Sequence, residues 1–252
     1  VERSAHTQLL VTGGLELAEA DLDSWDLKHE LVDLDKNRQK YTESYSALMR
    51  GLELSLERDD PTLQHELDAM TETLWWFSHN AMVHFAVPHG LEQPGGAAWG
   101  TRDVCQGPLE YLYSFGHYTL ARAVLLLIYK HQQVKSGEWP QWFMFDRFPY
   151  AADDAHGDVV FWPLKSLSEY LLYTGDLGIL DERVPLQEAD GSYTEAEPTL
   201  LEHVKLAYEV VQKRFLDGGY LISFAGGDWN DTLQPASPEL RETLVSSWTQ
   251  AL

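Results

Sequence analysis

Cysteine is nearly absent: Cys105 is the only one in 252 residues, so no disulfide can form within the chain. It has no histidine nearby at a spacing typical of a catalytic pair or a metal site, and reads as a small buried residue. Basic residues are also scarce, 18 Lys and Arg against 40 Asp and Glu, for a formal charge of −22. Phosphate backbones and anionic lipid are bound through clustered Lys and Arg, so neither nucleic acid nor a membrane surface is an expected partner. Long apolar runs are missing too. The richest stretch, around Ala123–Tyr129, is far shorter than the roughly 18–20 residues a membrane span needs. No basic stretch followed by an apolar core and a cleavage site opens the chain, and with the low cysteine content this predicts a cytoplasmic protein.

What is present is enough for a core: 44% of the residues are hydrophobic, and the length fits one large domain or part of a larger one. Tryptophan is abundant, with nine residues that include the neighbours Trp75 and Trp76 and the group Trp139, Trp142 and Trp162. Such rings are either large core residues or flat platforms suited to sugars. The chain starts at Val1, and an apolar pattern of helical spacing is still running at Leu252, so it reads as an excerpt.

The periodicity is helical throughout. Tyr41, Tyr45, Leu48, Met49, Leu52 and Leu56 predict a helix over 41–58, closed by Asp59 and Asp60. Asp60 can cap the next helix, with Pro61 at its first position, and that helix runs toward Pro88. A glycine-rich loop, 90–107, leads to a helix after Pro108; Ser114–His117 interrupt it before a second one over 118–131. A loop over 132–160 is long enough to be functional. Pro163 opens a helix closed by Gly175, Asp190 and Gly191 predict a small turn, and Pro198 opens a helix ending near Gly218. After a third loop, 217–236, Ser237 and Pro238 start a helix with Leu240, Leu244, Trp248 and Leu252 on one face. The fold class is therefore all-α, and helix parity puts the loops 90–107, 132–160 and 217–236 at one end, where they can line a common cleft.

Each of these loops carries polar residues. In the first, Arg102 and Asp103 can grip vicinal hydroxyls of a sugar, or pair locally and cap the following helix. In the second, Asp153, Asp154, His156 and Asp158 resemble a cation site on paper. The spacing lacks the alternation and distal Glu of a calcium loop, so no metal is expected; these groups line a polar cleft or cap the next helix. In the third, Asp228, Trp229, Asn230 and Asp231 follow two glycines. A carboxylic acid beside an aromatic ring fits glycosidic bond cleavage, whereas the same residues also form Asx turns and helix caps.

In content and order, these segments resemble the inverting glycoside phosphorylases, such as the cellobiose and chitobiose phosphorylases and the β-1,3-oligoglucan phosphorylases. The resemblance lies in Gly100-Thr101-Arg102-Asp103-Val104-Cys105-Gln106, then Ala155-His156-Gly157-Asp158 with Trp162. It continues in Tyr173-Thr174-Gly175-Asp176 leading to Val184-Pro185, and ends in Gly227-Asp228-Trp229-Asn230-Asp231. It divides the chain into an unassigned helical linker region, 1–73, and a partial catalytic domain, 74–252, of an (α/α)6 toroid.

The resemblance implies that Asp231 is the general acid and that Arg102 and Trp229 line the donor-sugar subsite, with Asp103, Gln106, Asp228, His156 and Asp158 as further substrate-binding candidates. It implies an oligosaccharide and inorganic phosphate as substrates, no cofactor, and a homodimer as one assembly. The phosphate-binding residues are expected beyond Leu252, so the chain is expected to be inactive alone. Gly107 stands where many cellobiose phosphorylases have Asp. That departure favours a β-1,3-linked substrate over a β-1,4-linked one. Two other readings compete: an inverting hydrolase on the same fold, with Asp153, Asp154 or Asp158 as base, and a non-catalytic carbohydrate-binding helical protein.

Overall fold

A computed structural model describes residues 34–49, 54–86, 98–144, 151–152, 155–216, 218–227, 229–230 and 237–246. Two compact units divide between Ala47 and Leu48. The first contributes most of helix α1 (Leu34–Leu48). This helix begins and ends earlier than the 41–58 pattern predicts. It closes three residues before Gly51, a poor helix former, and Leu54–Asp60 are not helical.

The second unit is all-α in character, as expected. Its helices are α2 (Pro61–Ala86), α3 (Thr101–Cys105), α4 (Gly107–Ser114), α5 (Tyr118–Tyr129), α6 (Phe161–Thr174) and α7 (Leu200–Lys213). A two-residue strand β1 (Trp99–Gly100) pairs antiparallel with β2 (Trp142–Phe143). No helix among the described residues is long and apolar enough to cross a membrane.

Local chemistry explains most boundaries. The Asp60 carboxylate accepts from the backbone N–H groups of Thr62 and Leu63 at 3.0 and 3.2 Å, so Asp60 caps α2 as predicted. Gly116, at φ 67°, separates α4 from α5 in a left-handed turn that a side chain would disfavour. Gly175 ends α6 at φ 66° with its N–H on the Leu171 carbonyl. The turn at Asp190–Gly191 also forms, the Glu188 N–H reaching the Ser192 carbonyl at 2.8 Å.

Three expectations are corrected. Residues 101–105, read as loop, form a short helix. Helix α7 starts after Thr199 and not at Pro198, because Thr199 and Glu202 form a reciprocal capping box. The last helix is reduced to one 3₁₀ segment, Pro238–Glu242. Beyond it the chain pairs back on an earlier loop: Phe224 N–H donates to the Leu244 carbonyl and Ser246 N–H to that of Ile222. These long-range bonds take the backbone groups that a continuing helix would use. Trp248 and Leu252 lie outside the described residues.

The core gathers on α5, whose Ala121, Val124, Leu125 and Ile128 are buried against α4, α6 and the loop after α5. Trp139, fully buried, donates its indole N–H to the Ile128 carbonyl at 3.0 Å. Tyr113 donates to the Ser166 carbonyl and Tyr129 to that of Pro163, tying α4 and α5 to α6. Cys105 is fully buried, and burial pushes its thiol up to about 12, so it is packing and not a nucleophile.

Two buried histidines titrate in this core, His131 and His203, and burial lowers the pKa of both. The His131 ring stacks on Phe143 at 3.9 Å, and its Nδ1 faces the Leu127 carbonyl at 2.8 Å. Burial lowers its pKa from 6.5 to about 4. The unfolded chain therefore takes up a proton before the folded one does. The stability carried by neutral His131 is complete above about 6.5 and is lost as pH falls toward 4. That interval corresponds to roughly 3 kcal/mol. Denaturant titrations across this window are expected to show the decline, and a His131→Phe variant to make it shallower, the remainder coming from His203; an equal decline in the variant contradicts the assignment.

Candidate active site

The three loops meet, as helix parity predicts, and hydrogen bonds join their described parts in series. Thr101 donates its N–H to the Gln141 carbonyl at 3.0 Å and its hydroxyl to the Pro140 carbonyl at 2.6 Å, fixing the start of α3 on the second loop. Within that loop the Gln141 N–H bonds the Ala152 carbonyl, and the His156 N–H donates to Gln141 Oε1 at 2.9 Å. The Gly157 N–H then donates to the Gly227 carbonyl at 2.7 Å, reaching the third loop directly before Asp228.

This last junction depends on glycine. A Cβ on Gly157 would stand 2.6 Å from the Phe224 carbonyl oxygen, and one on Gly226 would stand 2.5 Å from that of Ala155. Any side chain at either position forces the two loops apart. Arg214, at the end of α7, bolts the junction from behind: one guanidinium nitrogen donates to the Gly157 carbonyl and the other pairs with Glu138.

Within this frame Arg102 turns away from its sequence neighbour Asp103 and meets Asp158, 56 positions later, with Nη1 to Oδ2 at 3.4 Å. The local ion pair weighed from sequence is thus replaced by a buried one. Asp158 is inaccessible to solvent, and the same Oδ2 accepts the Trp162 indole N–H at 2.9 Å. Its second oxygen, Oδ1, is buried and has no hydrogen-bond partner among the described residues. Burial pushes the Asp158 carboxyl up, while the Trp162 N–H and the Arg102 and His156 charges pull it down. Asp158 is closed off from solvent in this structure and meets its surroundings through Arg102 and Trp162.

The remaining candidates fall in different places. Asp103 and Gln106 line a cavity of about 310 Å³ with Phe77, Asn80 and Ala81 of α2. His156 packs its ring against Gly227. Trp229 is 57% exposed, its ring free of the core. Asp153, Asp154, Asp228 and Asp231 lie outside the described residues. The Tyr173–Asp176 motif is structural: Gly175 caps α6, and Asp176 accepts from Tyr170 and pairs with Arg122.

Sequence reasoning missed Arg214 and Gln141 as parts of the site, and named Trp162 in a motif without giving it a partner. A single Arg at a helix end, just before a glycine-rich loop, was the available signal for Arg214. Gln141 carries none, because its role comes only from the fold.

No family model matches the chain. Over 222 residues, or 87% of its length, the chain is 43% identical to a 1,2-beta-oligoglucan phosphorylase of Listeria innocua serovar 6a. It spans 20% of that protein. The resemblance to glycoside phosphorylases read from the motifs is therefore borne out. The linkage in the relative's name is 1,2-β, and neither of the two weighed from the sequence.

Proposed function

We propose that this chain, homologous over most of its length to a glycoside phosphorylase, is the acid-bearing part of an enzyme that phosphorolyses 1,2-β-linked oligoglucans. The single observation that carries the reading is the 43% identity to a phosphorylase so named, over 87% of the chain. The convergence of three helix-end loops at one rim supports the companion proposal, that the helices are part of an (α/α)6 toroid.

In this reading Asp231, protonated, donates to the glycosidic oxygen. Inorganic phosphate attacks the anomeric carbon from the opposite face, the bond to the leaving sugar breaks, and the product is an α-sugar 1-phosphate. Phosphate is already a nucleophilic anion, so one carboxylic acid suffices where an inverting hydrolase needs two. Arg102 supplies fixed donors to the donor sugar and Trp229 a flat ring beneath it.

The chain is tested beside a form extended past Leu252, with 1,2-β-oligoglucan and inorganic phosphate. The expected result is sugar 1-phosphate from the extended form only, because residues beyond Leu252 complete the phosphate site. Free sugar released without phosphate would instead establish a hydrolase.

A further inference from the structure

The turn Ala155–Asp158 faces two ways. On one side Asp158 holds both the Arg102 guanidinium and the Trp162 indole on a single buried oxygen. On the other, one residue earlier, the Gly157 N–H holds the Gly227 carbonyl, and the fit leaves no room for a side chain. Arg214 fixes the Gly157 carbonyl, so the turn is held by backbone contacts on both its N–H and its C=O. A shift of this turn moves Arg102 and the start of the Asp228–Asp231 loop together.

We propose that this turn is a positioning element that sets the distance between the sugar-gripping Arg102 and the acid-bearing loop, Asp158 acting through Arg102 and Gly157 through the backbone of Gly227. The assignment rests on the phosphorylase reading above. It replaces direct sugar contact by Asp158 with a buried anchor for the residue that makes that contact. The unmatched Oδ1 gives the anchor a spare acceptor, so a guanidinium that now makes a 3.4 Å contact can close to a two-point grip when a sugar presses on it.

The test uses the full protein in the synthetic direction, with sugar 1-phosphate and an oligosaccharide acceptor. Asp158→Asn removes the charge and keeps the shape. It is expected to raise KM for sugar 1-phosphate roughly tenfold, the worth of one charge-assisted hydrogen bond, with acceptor KM and the pH profile of kcat unchanged. Gly157→Ala displaces the turn itself, so it is expected to lower kcat about tenfold or more and to raise KM for sugar 1-phosphate with it. A merely structural turn would lower thermal stability and the active fraction without the KM split of Asp158→Asn.

If Asp158→Asn leaves both parameters unchanged, or shifts kcat and both KM values together, the proposal is overturned. If Gly157→Ala fails to fold, the Asp158→Asn split decides alone. A wild-type protein that makes no product from sugar 1-phosphate and acceptor overturns the phosphorylase reading itself, and this assignment with it.

Discussion

Asp231→Asn in the full protein is expected to lower phosphorolysis of 1,2-β-oligoglucan by about a thousandfold or more, while substrate binding stays within a few-fold of wild type. General acid catalysis accounts for about 10²–10⁴ in rate, and a poor sugar leaving group puts the expectation in the upper part of that range. The amide is isosteric and still hydrogen-bonds the glycosidic oxygen, so ground-state contacts survive while proton donation is lost. The substitution therefore acts on kcat. A substrate with an activated leaving group, which departs without a proton, is expected to recover most of the rate with phosphate as nucleophile. Unchanged turnover in the variant would remove Asp231 from the mechanism.

The second large effect is expected at Arg102, and it divides between activity and stability. Arg102→Ala removes the donors proposed to hold the sugar and is expected to cut kcat/KM by about 10²–10³, or roughly 3–4 kcal/mol of transition-state stabilisation. It also strands Asp158, a fully buried carboxylate, without its cation. Breaking such a pair costs about 3–5 kcal/mol when the remaining charge has no other route to neutrality. Asp158 has one, because burial already favours its protonated form and loss of Arg102 removes one of the influences opposing it. Its folded pKa then lies further above the unfolded value. The variant's deficit is largest at neutral pH and shrinks as pH falls through the carboxyl's folded pKa.

A double variant, Arg102→Ala with Asp158→Asn, is expected to regain stability at neutral pH without regaining activity. Thermal melts of the four proteins at two pH values, read as a double-mutant cycle, check both statements. Additive losses would show that Arg102 and Asp158 are not coupled.

Such coupling marks the limit of what the sequence reveals. Features decided within a few residues were legible: the Asp60 cap ahead of Pro61, the break at Gly116 and the left-handed close of α6 at Gly175 all depend on neighbouring backbone groups. The capping box at Thr199 and Glu202 was equally local, but Pro198 drew the helix start two residues too early. The C-terminal segment was misread for the opposite reason. Leu240 and Leu244 have helical spacing, yet the strand-like partner at Ile222–Ala225 is some twenty residues away, and nothing in the spacing reveals it.

The site divides in the same way. Arg102 and Asp103 looked like a pair because they are adjacent, and the fold gives Arg102 a partner 56 residues on. That partner became visible only once Thr101 and Gln141 had brought the first two loops together. Helix parity did anticipate the meeting of the three loops, because direction alternates whatever the side chains do. The acid role proposed for Asp231 came with the motif resemblance, while the burial of Asp158 against Arg102 and Trp162 was not legible.

The most direct measurement is of what the full protein releases from 1,2-β-oligoglucan with and without inorganic phosphate, with the anomer of the product read by NMR before it equilibrates. The account predicts α-glucose 1-phosphate, formed only when phosphate is present and in step with chain shortening. Free glucose formed at the same rate without phosphate would contradict it.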